Sequence, residues 1–235
     1  MIRTVKVLCL GALIVASMAV AAGSAQAAQW LVLESVGGNV IEAGKVELEA
    51  ETLGILHSKI AGVAVLFECP TLTAVNANIA TGGKIAEGAK VKFSGCSTKL
   101  NGTTSAACEP NAGGTEAGVI NTNAGHAVFV LHELEGGVKD ELTQIAPDTG
   151  ETFATIEMGE ECSIGEKVPV IGKGYLKDCE NAFLVHKEKH LVEQGPLTEL
   201  WVISKTAEHV ANILGSAWAK VRFEGLLKHF AAHAG

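Results

Sequence analysis

The segment His186-Lys187-Glu188-Lys189-His190 sets two imidazoles four residues apart with a carboxylate midway. Neutral imidazole and carboxylate are common Zn2+ ligands, and on a strand, where alternate residues share a face, His186, Glu188 and His190 would form one row of three donors. The motif lacks the glutamate base and the third ligand at the spacing of a zinc hydrolase. Its competing reading is a polar edge strand whose lysines discourage pairing with another chain. The three residues are carried as a candidate metal set, with zinc a cofactor only if the protein is a metal-assisted extracellular hydrolase; otherwise no cofactor is expected. His229 and His233 repeat the spacing at the C-terminus and read as tail.

Other chemistries find less support. The chain has no G-x-S-x-G, S-x-x-K, H-E-x-x-H, phosphate-binding loop or dinucleotide fingerprint. Glu133 with Glu135, and Glu160 with Glu161, could in principle serve glycoside hydrolysis but fit solvated positions better. The segment 148–151, Asp-Thr-Gly-Glu, looks like part of a calcium loop without its repeated acidic ligands, and reads as a turn. Aromatic platforms for a sugar are few: Trp30, Trp201, Trp218 and Tyr175. Trp201, inside Leu-Trp-Val-Ile-Ser, is expected in the core, and Trp30 is the better candidate for an exposed ring.

The elements that must position these groups are strands. In Lys45–Glu51, Val46, Leu48 and Ala50 alternate with glutamates, the pattern of a strand with one dry and one wet face. The same logic covers 62–69, 90–93, 126–134, 151–158, 166–172 and 198–204, separated by Gly- and Asn-rich punctuation. This predicts an all-β fold, an antiparallel β-sandwich or barrel with at most one or two short helices. Residues 206–235 fit a helical stripe (Val210, Ile213, Leu214, Ala217, Trp218) and also a strand (Ala217, Ala219, Val221, Phe223).

Cysteine use depends on where the chain resides. Arg3 and Lys6, an apolar stretch from Val7 to Ala22 and then Ala25-Gln26-Ala27 have the order of an export signal, so residues 1–27 are expected to be removed. Residues 28–235 then form a single β-rich domain, with any subdivision near 110–118. Five cysteines remain, and an exported protein favours disulfides. No C-x-x-C pair points to zinc or redox chemistry. Asn101-Gly102 signals a two-residue turn, because both central positions of a type I′ turn need positive φ. With Leu100 facing Thr103, Cys96 falls opposite Ala107 and Cys108 belongs to the other face; a three-residue loop would set Cys96 against Cys108 instead. The two-residue reading favours Cys69 with Cys96 and Cys162 with Cys179, leaving Cys108 a free thiol. Each bridge would bracket one copy of a short echo, G-x-K-V-x-apolar-x-G, at 88–95 and 165–172. Five cysteines admit fifteen such arrangements, so spacing leaves the others open.

Loss of Arg3 and Lys6 from 18 basic residues leaves 16 against 26 acidic ones, a formal charge of −10 on residues 28–235. One arginine, Arg222, remains. Guanidinium is the usual group for phosphate recognition, so nucleic acid is excluded as an expected partner. After signal cleavage no transmembrane segment is expected, and the ligand should be extracellular or on the cell surface.

Several short segments carry a resemblance: Phe93-Ser94-Gly95-Cys96, Ala107-Cys108-Glu109-Pro110, Glu161-Cys162-Ser163-Ile164-Gly165, Lys177-Asp178-Cys179, His190-Leu191 and Gly215-Ser216-Ala217. Through them the chain, over about residues 60–220, resembles a group of uncharacterised exported proteins of actinobacterial type. The resemblance implies secretion and a β-rich fold, and no activity. The reading preferred here is a secreted, non-catalytic β-rich binding or cell-surface module rather than an enzyme. The alternative is the extracellular hydrolase, metal-assisted through His186 and His190.

Overall fold

A computed structural model describes residues 29–32, 39–40, 44–80, 85–133, 139–178, 190–194, 199–204, 207–223, 226–228 and 230–233. Among these the fold is all-β, built of large curled sheets in which all but one of the strand pairings are antiparallel. The described helical structure is one 3-10 turn, Ala106–Cys108. Residues 207–223, ambiguous by periodicity, form the strands Ala207–Leu214 and Ser216–Phe223. Pairing with Gly54–Ile60 and Gly44–Ala50 settles the competition that local pattern left open.

The first sheet runs, neighbour by neighbour, through Thr103–Thr104, Ser97–Leu100, Val63–Cys69, Gly54–Ile60, Ala207–Leu214, Glu199–Ser204, the first half of Lys167–Asp178, and Thr152–Glu157. Alternation decides its inner face. Val65, Phe67 and Cys69 are buried, while Ala64, Leu66 and Glu68 face outward, with Glu68 ion-paired to Lys99 at 2.7 Å. Ile156, Val168, Val170, Leu200 and Val202 complete that dry face. A smaller sheet covers it, made of Thr71–Val75, the second half of Ile85–Ser94, Val119–Asn121 and a hairpin of Asn111–Ala112 with Glu116–Ala117. Ile120 and Phe93 supply its share of the core. The Glu157 carboxylate accepts hydrogen bonds from Lys167 Nζ and Gly113 N, both at 2.8 Å, tying that hairpin to the first sheet. These two bonds hold Glu157 below the ordinary carboxylate range.

The second large sheet is a closed ring. It passes from Gly125–Glu133 through Lys139–Pro147, the second half of Lys167–Asp178, His190–Gln194, Ser216–Phe223, Gly44–Ala50 and Asn78–Ile79 to the first half of Ile85–Ser94, which pairs back onto Gly125–Glu133. The strand Lys167–Asp178 therefore belongs to both large sheets and bends between them at Gly172. Gly172 has φ +107, and a Cβ there would lie 2.0 Å from the Glu199 carbonyl oxygen. Gly215, φ +134, marks a comparable break between Ala207–Leu214 and Ser216–Phe223.

The Asn101-Gly102 turn is the two-residue form, with φ of 50° and 84° and Leu100 opposite Thr103. Asn101 Oδ1 accepts the Ala64 N–H at 3.0 Å, fastening this tip to the neighbouring hairpin. Cys69 is bonded to Cys96. The second bridge corrects the sequence reading: Cys108 is not free, and its partner is Cys162. The expectation treated Cys108 as a strand residue with a side chain facing away. The chain instead leaves the ladder after Thr104 and enters the Ala106–Cys108 turn, which carries a fully buried Cys108 against Cys162 in the tight loop at 159–165. Cys162 is thus not available to Cys179, which lies outside the described residues.

Candidate binding cleft

Where a strand changes sheets, one of its neighbours has to leave. Thr152 pairs with Ile171 and Ile145 pairs with Gly174, so between them the chain leaves its ladder with Lys167–Asp178, Ala146 and Pro147 staying paired with His126 and Gly125, and turns through Asp148, Thr149 and Gly150. Gly172 N reaches out to the Glu151 carbonyl at 2.9 Å. The opening left behind is a cleft of about 470 Å³.

Its walls come from both sheets. Glu199 and Trp201 share the outer face of Glu199–Ser204, because Leu200 and Val202 take the buried one. Trp201 pairs with Ile171, Lys173 pairs with Glu199, and Glu208 enters from the next strand opposite Ile203. From the other side come Gln144, Glu151 and His126, the last hydrogen-bonded through Nδ1 to Asp148 at 3.1 Å. Trp201 is half-buried, its Cε3 packed 3.1 Å from the position a Cβ on Gly172 would take. It is therefore a wall of the cleft rather than the core residue expected.

Behind the cleft a short chain of hydrogen bonds fixes two of its groups. Gln144 Nε2 donates to the Tyr175 hydroxyl at 3.0 Å, and that hydroxyl donates to Glu199 Oε2 at 2.9 Å. Burial, with the Glu199 carboxylate adding to it, holds the Tyr175 phenol above its ordinary range against the opposing Gln144 amide. Glu199 is left with its other oxygen, and Gln144 with its carbonyl and one N–H. Lys173, Glu151 and Glu208 make no side-chain hydrogen bond or ion pair among the described residues. The arrangement can hold a small polar molecule by an aromatic face with donors and acceptors around it.

The core of the first sheet contains a second space of about 80 Å³, between Phe67, Phe93, Phe153 and Ile213. The hydroxyl of Thr122 on its wall is occupied by Val91 N at 2.8 Å, so this space offers room without recognition.

The expected metal row is not brought into view. His186 and Glu188 lie outside the described residues, and His190 opens the strand His190–Gln194 with its backbone opposite Ala219. Among the described residues no group of three His, Cys, Asp or Glu is placed to hold a metal. Also among them, no helix is long and apolar enough to cross a membrane. Trp30 lies in Gln29–Val32, paired with Ala232. Sequence reasoning missed Gln144, Lys173, Glu199 and Glu208 altogether. One available signal was the parity of Glu199-Leu200-Trp201-Val202, since two core residues two apart commit their neighbours to the other face.

No family model matches the chain, and no curated protein or solved structure does either.

Proposed function

We propose that this chain is a secreted, non-catalytic β-rich binding or cell-surface module, and that it binds its ligand in the cleft at the sheet seam. The observation that carries the reading is the combination, in one opening, of a half-buried indole with donors and acceptors that the fold leaves unspent. Lys92 and Glu116, by contrast, are committed to one another at 2.8 Å. Export is supported by the leader-like residues 1–27 and by two disulfides, which persist in oxidising compartments.

The test uses the exposed cleft residues Glu151 and Glu208. Replacing both by arginine alters the cleft without touching the core. In a thermal-shift screen of small polar molecules, compounds that bind the wild type should raise its Tm and leave the double variant unchanged. Hits that stabilise both proteins equally contradict the assignment of the site.

A further inference from the structure

We propose that the cleft takes a neutral saccharide ring, stacked on the Trp201 indole and bonded through its hydroxyls; this rests on the reading of the cleft as the binding site. The argument is one of matching groups. On one side of the indole the cross-strand pair Glu199 and Lys173 places an acceptor beside a donor, and on the other Glu208 stands diagonally across the ladder from Trp201. Gln144 adds one free N–H and one free carbonyl, while Tyr175 holds Glu199 in place through the 2.9 Å bond.

An anion would meet the carboxylates of Glu151, Glu199 and Glu208. A simple cation would be drawn by the three carboxylates against the one ammonium of Lys173, but it would leave the donors of Lys173 and Gln144 unanswered. An apolar molecule would strip water from all of these groups without replacing it. A sugar hydroxyl both donates and accepts, and the C–H face of a pyranose ring is an apolar partner for an indole. Of these four classes the sugar alone uses both signs of the cleft and its ring together.

The experiment titrates the full secreted chain with soluble hexasaccharides of glucose, xylose, mannose and N-acetylglucosamine, and separately with oligolysine, reading tryptophan fluorescence and calorimetric heat. One or more of the sugars should bind, with an affinity that changes less than about twofold when salt is raised, because no ion pair forms with the ligand. Trp201→Ala should weaken it by about tenfold, the loss of one aromatic contact, with Trp201→Phe recovering part. Because Trp201 packs on Gly172, Lys173→Ala and Glu208→Gln provide the same test at less risk to the fold, each expected to cost about three- to tenfold. Oligolysine binding that is salt-sensitive and lost in Glu208→Gln, with the sugars silent, overturns the saccharide class and leaves the cleft reading standing. Sugar binding indifferent to all four substitutions places the site elsewhere and overturns both, as does silence from every probe.

Discussion

Replacing Gly172 by alanine should cost more than the same change at any other described glycine. Its φ of +107 is a conformation that side-chain-bearing residues rarely adopt, which carries about 1–3 kcal/mol of strain. The new Cβ would also sit 2.0 Å from the Glu199 carbonyl oxygen and 3.0 Å from its carbon. Both are backbone atoms, so relief requires the strands to part by about 1 Å or more, beyond ordinary van der Waals contact. One or two ladder bonds between Lys167–Asp178 and Glu199–Ser204 would be lost, at about 1 kcal/mol net each. The total is about 2–5 kcal/mol, a large share of the 5–15 kcal/mol that typically separates folded from unfolded chains. Urea denaturation followed by far-UV circular dichroism measures it. Gly113→Ala is the control: its φ is +62, but nothing lies within 4 Å of the added methyl. Gly215→Ala, with φ +134 and the Leu53 carbonyl oxygen at 3.0 Å, should fall between the two. If Gly172→Ala unfolds within about 1 kcal/mol of Gly113→Ala, the seam is not held as described.

Two further outcomes follow from the bridge and the buried phenol. A non-reducing peptide map should link Cys108 to Cys162 and Cys69 to Cys96, and Cys179→Ser should leave both links intact; a Cys162–Cys179 peptide would refute the assignment. Cys108→Ser and Cys162→Ser should each lose up to about 4 kcal/mol, the loop-entropy value for a separation of 54 residues, and the double variant should lose little more. Tyr175 is the only tyrosine in the chain, so near-ultraviolet absorbance titrates it alone. Its midpoint should lie above the ordinary value near 10 in the folded protein and return to it in denaturant. Because the fold favours the neutral phenol, its contribution is complete below about pH 10 and is lost as pH rises through the raised pKa. Tyr175→Phe should remove that alkaline loss of stability, and an unchanged alkaline profile would contradict the role given to the hydroxyl.

What the sequence disclosed depended on how local the governing interaction was. Strand identity was legible because alternation is written into each segment: Val65 and Phe67 declare a face without reference to the rest of the chain. The Asn101-Gly102 turn was legible for the same reason, since its requirement for positive φ concerns two residues. The partner of Cys108 was not, because the deciding event is a 3-10 turn after Thr104 that redirects one side chain toward a loop 54 residues away. The choice between helix and strand over 207–223 was equally non-local, settled by pairing with Gly44–Ala50 and Gly54–Ile60. The cleft was hidden for a related reason. Its residues lie on five separate strands and one turn, and Trp201 reads as core until the parity of Leu200 and Val202 is applied to it.

The position of the cleft follows from the geometry of a strand that serves two sheets. A continuous ladder satisfies every backbone group and leaves no room for a ligand, whereas a strand that bends must release a neighbour at the bend. Here the segment 146–151 is released from Lys167–Asp178, and the opening is lined by residues 171–173 and Glu199. The cost of an imperfect ladder is limited by Gly172 N bonding to the Glu151 carbonyl and by Tyr175 joining Gln144 to Glu199 beneath the gap. Those same bonds orient the groups that face the opening, so the device that closes the fold also arranges the site. Gly172 serves both: without a side chain it lets the Glu199 carbonyl approach and gives the Trp201 indole a surface to lie on. A substitution there should therefore abolish ligand binding and lower stability together, while Glu208→Gln, at the rim, should separate the two.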